Sequence, residues 1–453
     1  MFDSVISSGQ HDTSREALVT LDGIVSWNQF PPVIDRLQDE LAYLARSRVA
    51  LQLRPSATCL AILAVLDRLN CDAILLSSEL SIDEAKSLVE PLDTIAVIRE
   101  FASDNSFESW PKYQVHRTDH DRQDGGESGV TILTSGTSGR PKAVRHNWDS
   151  LSRPVRRGAD IVHPRWLLSY APHLYAGLQV ILQSLINGGC LVAPPMGSAP
   201  DEVIQLMSQG KVEYASATPS YWRRLLLFGN RPFLAKVPLR VVTLGGEPVD
   251  QTILDQLKLL FPAARLVHIY ATTELGRCFS VTDGQDGFPA AYFEQISADG
   301  VEMRIDDGEL SVRSANRMRG YVDRPEIEVD DWIATGDLVE VRGDRAHFVG
   351  RKSETINVGG NKVHPLEVER VIRAVRGVVD VRVYGQSSSI AGELVGCEIV
   401  AADDSDGESV RHEVATTCTD HLTDFQRPRV IKLVPAVSLS AAGKIKRALD
   451  QQQ

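Results

Sequence analysis

The segment TILTSGTSGRPKAVRH, residues 131–146, concentrates small polar residues, glycines and cations around one proline. Gly136 and Gly139 lack a Cβ atom and would let the backbone approach an anion closely, with Lys142 adding a positive charge nearby. Hydroxyl groups that can donate to anionic oxygens stand at Thr134, Ser135, Thr137 and Ser138. The pattern is not GxxxxGK(S/T), so a rigid P-loop is not indicated. It predicts a loop that closes over a polyphosphate and releases part of it, with an ordinary solvated turn as the alternative.

Five further motifs follow in order along the chain. They are LGGEPV at 244–249, YATTE at 270–274, TGD at 335–337, GRKSETINVGGNKVHPLEVE at 350–369 and LSAAGKIKR at 439–447. With TSGTSGRPKAVRH, they resemble the phosphate loop, adenine-side loop, YGxTE motif, ribose-binding Asp, hinge and glycine segment, and C-terminal lysine motif of the AMP-forming adenylating superfamily. That superfamily includes acyl-CoA synthetases, peptide-synthetase adenylation domains and luciferases. The chain is identified as a member of its acyl-CoA synthetase-like branch.

The resemblance implies that a carboxylate attacks the α-phosphate of ATP, so two anions must be brought together. Like charges about 4 Å apart repel by ~1 kcal/mol in water and ~4 kcal/mol at an effective dielectric of 20. By resemblance, three residues are catalytic and stabilise developing charge without carrying protons. Lys444 would lie between the two anions, Glu274 would hold Mg²⁺ against the phosphates, and Thr273 would hydrogen-bond the α-phosphate.

The same resemblance implies the remaining nucleotide contacts. Asp337 would accept hydrogen bonds from the ribose hydroxyls, and Arg351 would donate to the same sugar. The other residues expected to bind the cofactor, outside the phosphate loop and the glycine segment, are Gly245, Gly246, Glu247, Pro248, Tyr270 and Thr272. Taken singly, each has an ordinary explanation as a turn residue, a helix cap or a solvated charge. Their shared order along the chain favours the functional interpretation.

The resemblance also implies a mobile small domain, which rotates after adenylation and withdraws Lys444. Rotation would present Gly359 and Gly360 to an incoming thiol, and a simple turn is the alternative for this glycine pair. Glu354 stands where the family hinge usually has Asp and carries the same charge on a longer side chain. Asn357 replaces a lysine common in the glycine segment, so the acceptor step departs most from the family pattern.

The stretch YAPHLYAGLQ, residues 170–179, resembles the one in which the family places an aromatic residue or His that gates the acyl pocket. The predicted pocket residues are His173, Tyr175, Thr218, Tyr221 and Ala271, the last replacing the glycine of YGxTE. His173 aligns one position early, and a core histidine bonded to a carbonyl is the alternative. The stretch has no Asp where amino-acid-activating relatives pair the substrate ammonium. We therefore expect a fatty or aryl carboxylic acid.

The elements that must position these residues alternate between helix and strand patterns. RVALQL, SATCLAILAVLDRLN and DAILLSS predict strand, helix and strand, hence a right-handed crossover in a parallel sheet. Residues 101–130 predict a surface connection, 301–350 antiparallel strands, and 402–409 a loop. The predicted fold class is α/β. A large N-terminal domain, 1–351, holds two doubly wound α/β subdomains and a small β-barrel-like subdomain, and a small mobile α+β domain spans 352–453.

Composition limits the partners of the 453-residue chain. With 48 Lys and Arg against 60 Asp and Glu, the net charge of −12 argues against a general nucleic-acid or anionic-membrane binder. Six widely spaced cysteines without a CxxC pair predict buried, reduced thiols instead of a zinc site or disulfide framework. Because the sequence shows neither a signal-peptide pattern nor an apolar run of membrane-spanning length, we expect a cytoplasmic protein without a membrane span.

The predicted function is that of an ATP-dependent carboxylic acid ligase using ATP, Mg²⁺ and coenzyme A. The acid becomes acyl-AMP with release of pyrophosphate, and the CoA thiol then takes the acyl group. One alternative is the loading of the phosphopantetheine of an acyl-carrier protein. RVIRAVRG at 370–377 could be a basic docking patch for that carrier, but the pattern favours a solvated helix face. A catalytically silent binding homologue is a further alternative, against which Lys444, Glu274 and Asp337 argue.

Overall fold

The computed structural model describes residues 2–7, 14–101, 112–120, 128–134, 141–158, 161–322, 324, 327–328, 330–388, 392–402, 405–438, 445 and 447. The helices are α1 (Phe2–Ser7), α2 (Phe30–Leu41), α3 (Ala57–Arg68), α4 (Ile82–Val89), α5 (Trp148–Ser152), α6 (Tyr175–Leu185), α7 (Pro200–Gln209), α8 (Pro219–Phe228), α9 (Arg231–Leu234), α10 (Gln251–Leu260), α11 (Pro365–Arg373) and α12 (Gly407–His421).

The strands of the first half are β1 (Glu16–Thr20), β2 (Gly23–Ser26), β3 (Arg48–Leu53), β4 (Asp72–Ser77), β5 (Ala96–Glu100), β6 (Tyr113–Arg117), β7 (Gly129–Thr134), β8 (Lys142–His146), β9 (Arg165–Leu168), β10 (Cys190–Val192), β11 (Tyr214–Ala217) and β12 (Val241–Gly245). Those of the second half are β13 (Arg265–Thr272), β14 (Gly276–Val281), β15 (Phe288–Pro289), β16 (Val301–Asp306), β17 (Glu309–Ser314), β18 (Gly320–Tyr321), β19 (Ile333–Arg342), β20 (Arg345–Arg351), β21 (Ile356–Val358), β22 (Asn361–Val363), β23 (Val378–Ser388), β24 (Gly392–Ala401) and β25 (Val430–Leu433).

Two large mixed sheets form the body of the protein. One has the order β18-β8-β7-β4-β3-β5-β6, with β7, β4, β3 and β5 parallel. The other has the order β14-β13-β12-β11-β9-β10-β1-β2, with parallel strands from β13 to β1. The predicted unit β3-α3-β4 is confirmed, and Ser56 caps α3 by accepting the Cys59 N–H at 3.1 Å. A shared apolar core, which includes α3 and α6, lies between the sheets.

Two smaller sheets complete the fold. The antiparallel sheet β15-β20-β19-β17-β16 covers the predicted 301–350 region and has its own aromatic-rich core. The last sheet pairs β22, β21, β24 and β23, adds β25 beside β24, and packs against α11 and α12 around a separate core. This is the α+β unit expected after Arg351. All six cysteines are free and buried, as predicted.

Two local predictions differ from the structure. The expected surface connection 101–130 contains β6, which pairs antiparallel with β5 because its alternating YQVHR pattern suits an edge strand. The expected loop 402–409 ends at Asp406, since this residue caps α12 by accepting the Ser409 N–H at 3.3 Å. Across the part of the chain that the structure describes, no helix has the length and apolar character needed to cross a bilayer.

Candidate active site

A cavity of about 210 Å³ lies where the ends of β12 and β13 meet the β19–β20 hairpin and α11. It receives residues from both halves of the chain, because its wall also includes Ile445 and Arg447 of the C-terminal segment. The predicted site residues in this wall are Gly246, Glu247, Pro248, Tyr270, Ala271, Thr272, Asp337, Arg351 and Glu354. Three separate motifs and the hinge therefore meet at one place.

Asp337 is an acidic group of this wall that two neighbouring side chains orient. Antiparallel pairing places it opposite Arg351, whose Nε donates to Asp337 Oδ1 at 2.7 Å, while the Tyr270 hydroxyl donates to Oδ2 at 2.6 Å. Burial and the negative charge of Asp337 raise the pKa of the Tyr270 phenol well above its ordinary value, so the hydroxyl stays a donor. Each carboxylate oxygen has two lone pairs, so an oriented acceptor for further hydroxyl groups remains.

The apolar side of the cavity is aromatic. The Tyr270 ring stacks on Phe279 with centroids 5.3 Å apart and contacts Phe348 at 4.9 Å. Phe279, Phe288 and Phe348 all line the wall. A flat ring system can pack against such a surface, because aromatic pairs favour offset and tilted arrangements at these distances.

The loop after β12 depends on its glycines. Gly246 has φ of +84°, a conformation that disfavours residues with a Cβ atom. Gly245 is the last residue of β12 and does not line the wall; the Tyr170 hydroxyl donates to its carbonyl at 3.2 Å. The loop therefore leaves the sheet through a turn that glycine permits, and Glu247 follows at the cavity.

Glu247 links this loop to two other segments. Its Oε2 accepts the Ser220 N–H at the start of α8 at 3.0 Å, and its Oε1 accepts the Ile445 N–H at 2.9 Å. Arg447 donates to Glu354 at 3.0 Å and to Glu369 at 3.0 and 2.8 Å. Lys444 lies outside the described residues, but its chain neighbour Ile445 lines the cavity. The sequence analysis did not single out Glu369 and Arg447, although both stand inside quoted motifs.

The flanks of the predicted phosphate loop are neighbours in the structure. Thr134 ends β7, Lys142 begins β8, and the two are register partners. The Lys142 ammonium lies 5.5 Å from the centre of the Tyr321 ring. The loop residues between them, Ser135, Gly136, Thr137, Ser138 and Gly139, lie outside the described residues. Their phosphate contacts stay a prediction.

Thr273 and Glu274 lie on the turn between β13 and β14. The Thr272 hydroxyl accepts the Leu275 N–H at 3.1 Å and so stabilises this turn, while the Glu274 carbonyl accepts the Met318 N–H at 2.7 Å. The Glu274 carboxylate has no hydrogen-bond or ion-pair partner among the described residues. No cluster of three or more acidic, His or Cys side chains suited to a metal occurs in that part of the chain.

His146 is a residue that the sequence analysis missed. It ends β8, is fully buried, and its Nε2 lies 2.7 Å from the Thr273 carbonyl, with Nδ1 3.1 Å from the Ser150 hydroxyl. Burial lowers the pKa of His146 to about 4, so the ring is neutral near pH 7. Its position in the sequence could have indicated a role, because His146 is the last residue of the strand that follows the predicted phosphate loop.

The predicted acyl-pocket residues lie apart from the cavity, except for Ala271. Tyr175 begins α6 and is buried, and Thr218 caps α8 by accepting the Tyr221 N–H at 3.1 Å. Burial lowers the pKa of His173 to about 4, which keeps that ring neutral. Their contact with an acid stays a prediction.

The glycine pair forms the turn of the β21–β22 hairpin. Gly359 and Gly360 have φ of +57° and +88°, and the Asn357 side chain accepts the Gly360 N–H at 3.1 Å. Two consecutive positive φ values are typical of a tight hairpin turn, so the turn alone explains both glycines. Neither lines the cavity, and their contact with a thiol stays a prediction.

The three arginines of RVIRAVRG, the candidate docking patch, differ in their surroundings. Arg370 and Arg373 line the cavity, and Arg373 lies 3.6 Å from Asp250 of the large domain. Arg376 alone among the three is exposed. Two of the three cations of this segment thus lie in the cavity wall, and its docking of a carrier protein stays a prediction.

The chain matches the AMP-binding enzyme family over residues 40–322 and the C-terminal domain of AMP-binding enzymes over residues 367–444. It is 28% identical over 327 residues to a 2-succinylbenzoate–CoA ligase of Listeria innocua serovar 6a, a match that covers 70% of this chain and 68% of the relative. It is 26% identical over 359 residues to a medium/long-chain-fatty-acid–(acyl-carrier-protein) ligase of Mycobacterium tuberculosis, covering 70% of this chain and 65% of that relative.

Among solved structures, ATP-bound MatB from Rhodopseudomonas palustris has a similar fold, with a TM-score of 0.77 and 19% identity over 98% of this chain and 96% of that chain. At this identity the similarity shows the fold alone, and it confirms the predicted α/β class. The predicted adenylate-forming acid–CoA ligase is confirmed at the level of the family. Because the first family match spans more than half of its length, the chain belongs to the AMP-binding enzyme family, as its six motifs predicted.

Proposed function

We propose that this enzyme activates a carboxylic acid with ATP as acyl-AMP, releases pyrophosphate, and transfers the acyl group to the thiol of coenzyme A. One observation carries the proposal. The Asp337 carboxylate, which Arg351 and Tyr270 orient, lines the same cavity as Glu247. Glu247 in turn accepts the backbone N–H of Ile445, the residue after Lys444. The predicted ribose site and the predicted lysine segment thus meet at one place, as adenylation requires.

The nucleotide would bind across this cavity. Its ribose hydroxyls would donate to Asp337, its base would pack between the aromatic wall and the loop 246–248, and Arg351 would donate to the sugar. Its phosphates would extend towards Thr273 and the segment between Thr134 and Lys142. Support comes from the free acceptor capacity of Asp337 and from the shape of the wall.

In the first step, a carboxylate oxygen attacks the α-phosphorus and pyrophosphate leaves with the electron pair of the broken bond. Lys444 would offset the repulsion between the two anions, and the Thr273 hydroxyl would donate to the α-phosphate. In the second step, the CoA sulfur attacks the acyl carbon, the thiol proton is released, and AMP leaves.

We also propose that Glu274 holds Mg²⁺. Its carboxylate has no partner among the described residues, and Mg²⁺ typically binds through one or two carboxylates together with substrate phosphates. When bound, Mg²⁺ would neutralise phosphate charge during the displacement. The protein contributes a carboxylate held on the turn after β13.

The acid would be aryl or fatty. The proposed pocket residues His173, Tyr175, Thr218, Tyr221 and Ala271 include no charged side chain, since burial keeps His173 neutral. Such a pocket offers no counter-ion for a substrate ammonium. The names of the two relatives, an aryl-acid ligase and a fatty-acid ligase, support the same classes.

The proposal also covers the acyl acceptor of the second step and the cellular compartment of the enzyme. A boundary between residues 351 and 352 would let the small domain rotate and present the turn at Gly359 and Gly360 to the thiol. One relative is named as a ligase that acts on an acyl-carrier protein, so the phosphopantetheine of such a carrier stays an alternative acceptor. Six free, buried cysteines suit a reducing compartment, and we propose the cytoplasm.

Pyrophosphate release tests the function. The full-length enzyme, ATP and Mg²⁺ would be mixed with single acids: 2-succinylbenzoate, benzoate, medium- and long-chain fatty acids, and an α-amino acid as control. We expect release with aryl or fatty acids only, followed by thioester formation with CoA. Thioester formation with a phosphopantetheinylated carrier but not with CoA would favour the alternative acceptor. Absence of acid-dependent release would favour the silent binding homologue.

A further inference from the structure

Three glutamates from different parts of the chain hold the C-terminal segment. Glu247 follows β12, Glu354 ends the short turn after β20, and Glu369 lies on α11. Together they accept hydrogen bonds from the backbone of Ile445 and from the guanidinium of Arg447. We call these three residues the acidic clamp.

The contact between Arg447 and Glu369 is a forked ion pair. Arg447 Nε donates to Glu369 Oε1 at 3.0 Å, and a terminal nitrogen donates to Oε2 at 2.8 Å. Glu369 is fully buried, and its Oε1 also accepts the Val383 N–H at 3.1 Å. A buried carboxylate needs such partners because desolvation of an unpaired charge is costly. The pair therefore fixes where Arg447 lies on the small domain.

Two further contacts hold this segment, one within the small domain and one to the large domain. The other terminal nitrogen of Arg447 donates to Glu354 Oε2 at 3.0 Å. Glu247 accepts the N–H of the peptide group that Lys444 shares with Ile445. Lys444 begins a four-residue stretch that ends at Arg447. The peptide N–H after Lys444 is held by Glu247, and the side chain of Arg447 is held by Glu369 and Glu354.

We propose that Arg447 is a positioning residue for Lys444. Locked to Glu369 and Glu354, it sets the distance and direction from which the lysine reaches the reacting centre. This inference rests on the proposed role of Lys444 in adenylation. Glu369 and Arg447 belong to the same small domain, so their contact persists if that domain rotates, whereas the contact between Glu247 and Ile445 joins the two domains. Because Lys444 acts only in the first step of the proposed mechanism, Arg447 is needed for that step and not for the second.

The test is Arg447→Lys in the full-length enzyme. Lysine keeps the charge that Glu369 needs but cannot reproduce the fork. We expect kcat for acid-dependent pyrophosphate release to fall roughly 10- to 100-fold with unchanged KM for ATP, because a misplacement of about 1 Å costs this much. Thioester formation from supplied acyl-AMP should stay within about twofold. Arg382→Lys is the matched control, since Arg382 pairs with Glu398 at 3.0 Å within the same domain and outside the cavity wall.

Hydrogen exchange of the C-terminal peptide gives a readout that is independent of activity. Arg447→Lys and Glu247→Gln should each speed exchange at the Ile445 amide, because each weakens the clamp. Unchanged exchange, or an equal loss in both half-reactions, would overturn the inference. If Lys444→Ala leaves pyrophosphate release intact while Arg447→Lys still speeds exchange, the role of the lysine fails and the clamp stands as a purely structural contact.

Discussion

His146 Nε2 lies 2.7 Å from the backbone carbonyl of Thr273 and ties the end of β8 to the turn that carries the proposed catalytic residues. A carbonyl only accepts, so Nε2 carries the proton in the neutral ring. Nδ1 lies 3.1 Å from the Ser150 hydroxyl, which also donates to the Asn147 carbonyl at 3.0 Å. Protonation of Nδ1 would place a positive charge in a fully buried site. The contact should therefore make this turn sensitive to acid.

The first prediction concerns stability against pH. Burial lowers the pKa of His146 from 6.5 to about 4, so between these values the unfolded chain binds a proton that the folded protein does not. Stability therefore falls as the pH falls through this window, by about 2 kcal/mol between pH 7 and pH 5 from this group alone. Urea unfolding of His146→Gln should show a pH dependence smaller by that amount.

The control for this experiment is His412→Gln, at an exposed position of α12. It should leave the difference in unfolding free energy between pH 7 and pH 5 unchanged. If His146→Gln shows the same pH dependence as the wild type, His146 does not titrate with a lowered pKa, and the buried neutral ring is refuted.

A second prediction concerns the ribose. Asp337→Asn keeps the shape of the side chain but removes the charge that accepts from Arg351 and Tyr270. Hydrogen bonds to charged groups contribute about 1.5–3 kcal/mol, so KM for ATP should rise roughly 10- to 100-fold. KM for the acid should change little. Initial rates of pyrophosphate release at varied ATP would measure both constants.

Asp306→Asn is a suitable comparison, because Asp306 pairs with Arg304 at 2.8 Å and both side chains are exposed. It should leave KM for ATP at the wild-type value. An Asp337→Asn enzyme with the same KM for ATP as the wild type would contradict the ribose assignment.

Local sequence patterns predicted much of the fold and the nucleotide side of the site. Asp337 and Arg351 were recognised by their motifs, and a hairpin brings them opposite each other because β19 and β20 are adjacent in sequence. The unit β3-α3-β4 could also be predicted, because its apolar runs and the Ser56 cap lie within one continuous stretch of the sequence.

Contacts between segments that are far apart in the sequence could not be predicted from it. His146 and Thr273 are 127 positions apart, and Glu369 and Arg447 are 78 positions apart. No periodicity or spacing connects such residues, because tertiary packing alone decides which charged or polar side chains become buried partners. The same limit explains α11, whose arginines read as a solvated face although Arg373 reaches Asp250 across the domain interface.

A third prediction separates the two steps. Lys444→Ala should abolish acyl-AMP formation, because it removes the cation proposed to lie between the acid and the α-phosphate. Thioester formation from supplied acyl-AMP should largely survive. Quenched-flow assays of each half-reaction would measure both, with Lys432→Ala as control, since Lys432 is an exposed residue of β25. Equal loss of both half-reactions would remove the two-orientation mechanism.

The fourth prediction concerns the metal. Glu274→Gln keeps the size of the side chain but removes the charge proposed to hold Mg²⁺. The Mg²⁺ concentration that gives half-maximal pyrophosphate release should rise several-fold, and removal of the ion by a chelator should stop the wild-type reaction. Glu302→Gln, on β16, should not change the Mg²⁺ dependence. An unchanged dependence in Glu274→Gln would assign the metal to other ligands.

The last prediction decides between the two explanations of the glycine pair. Gly359 has φ of +57°, which asparagine tolerates, and a Cβ atom there would meet nothing within 4 Å. Gly359→Asn should therefore leave the unfolding free energy within about 0.5 kcal/mol of the wild type. If the hairpin lines the path of the thiol, the added side chain should raise KM for CoA and slow thioester formation while pyrophosphate release continues at the wild-type rate. Unchanged kinetics in both half-reactions would leave the turn as the whole reason for glycine at this position.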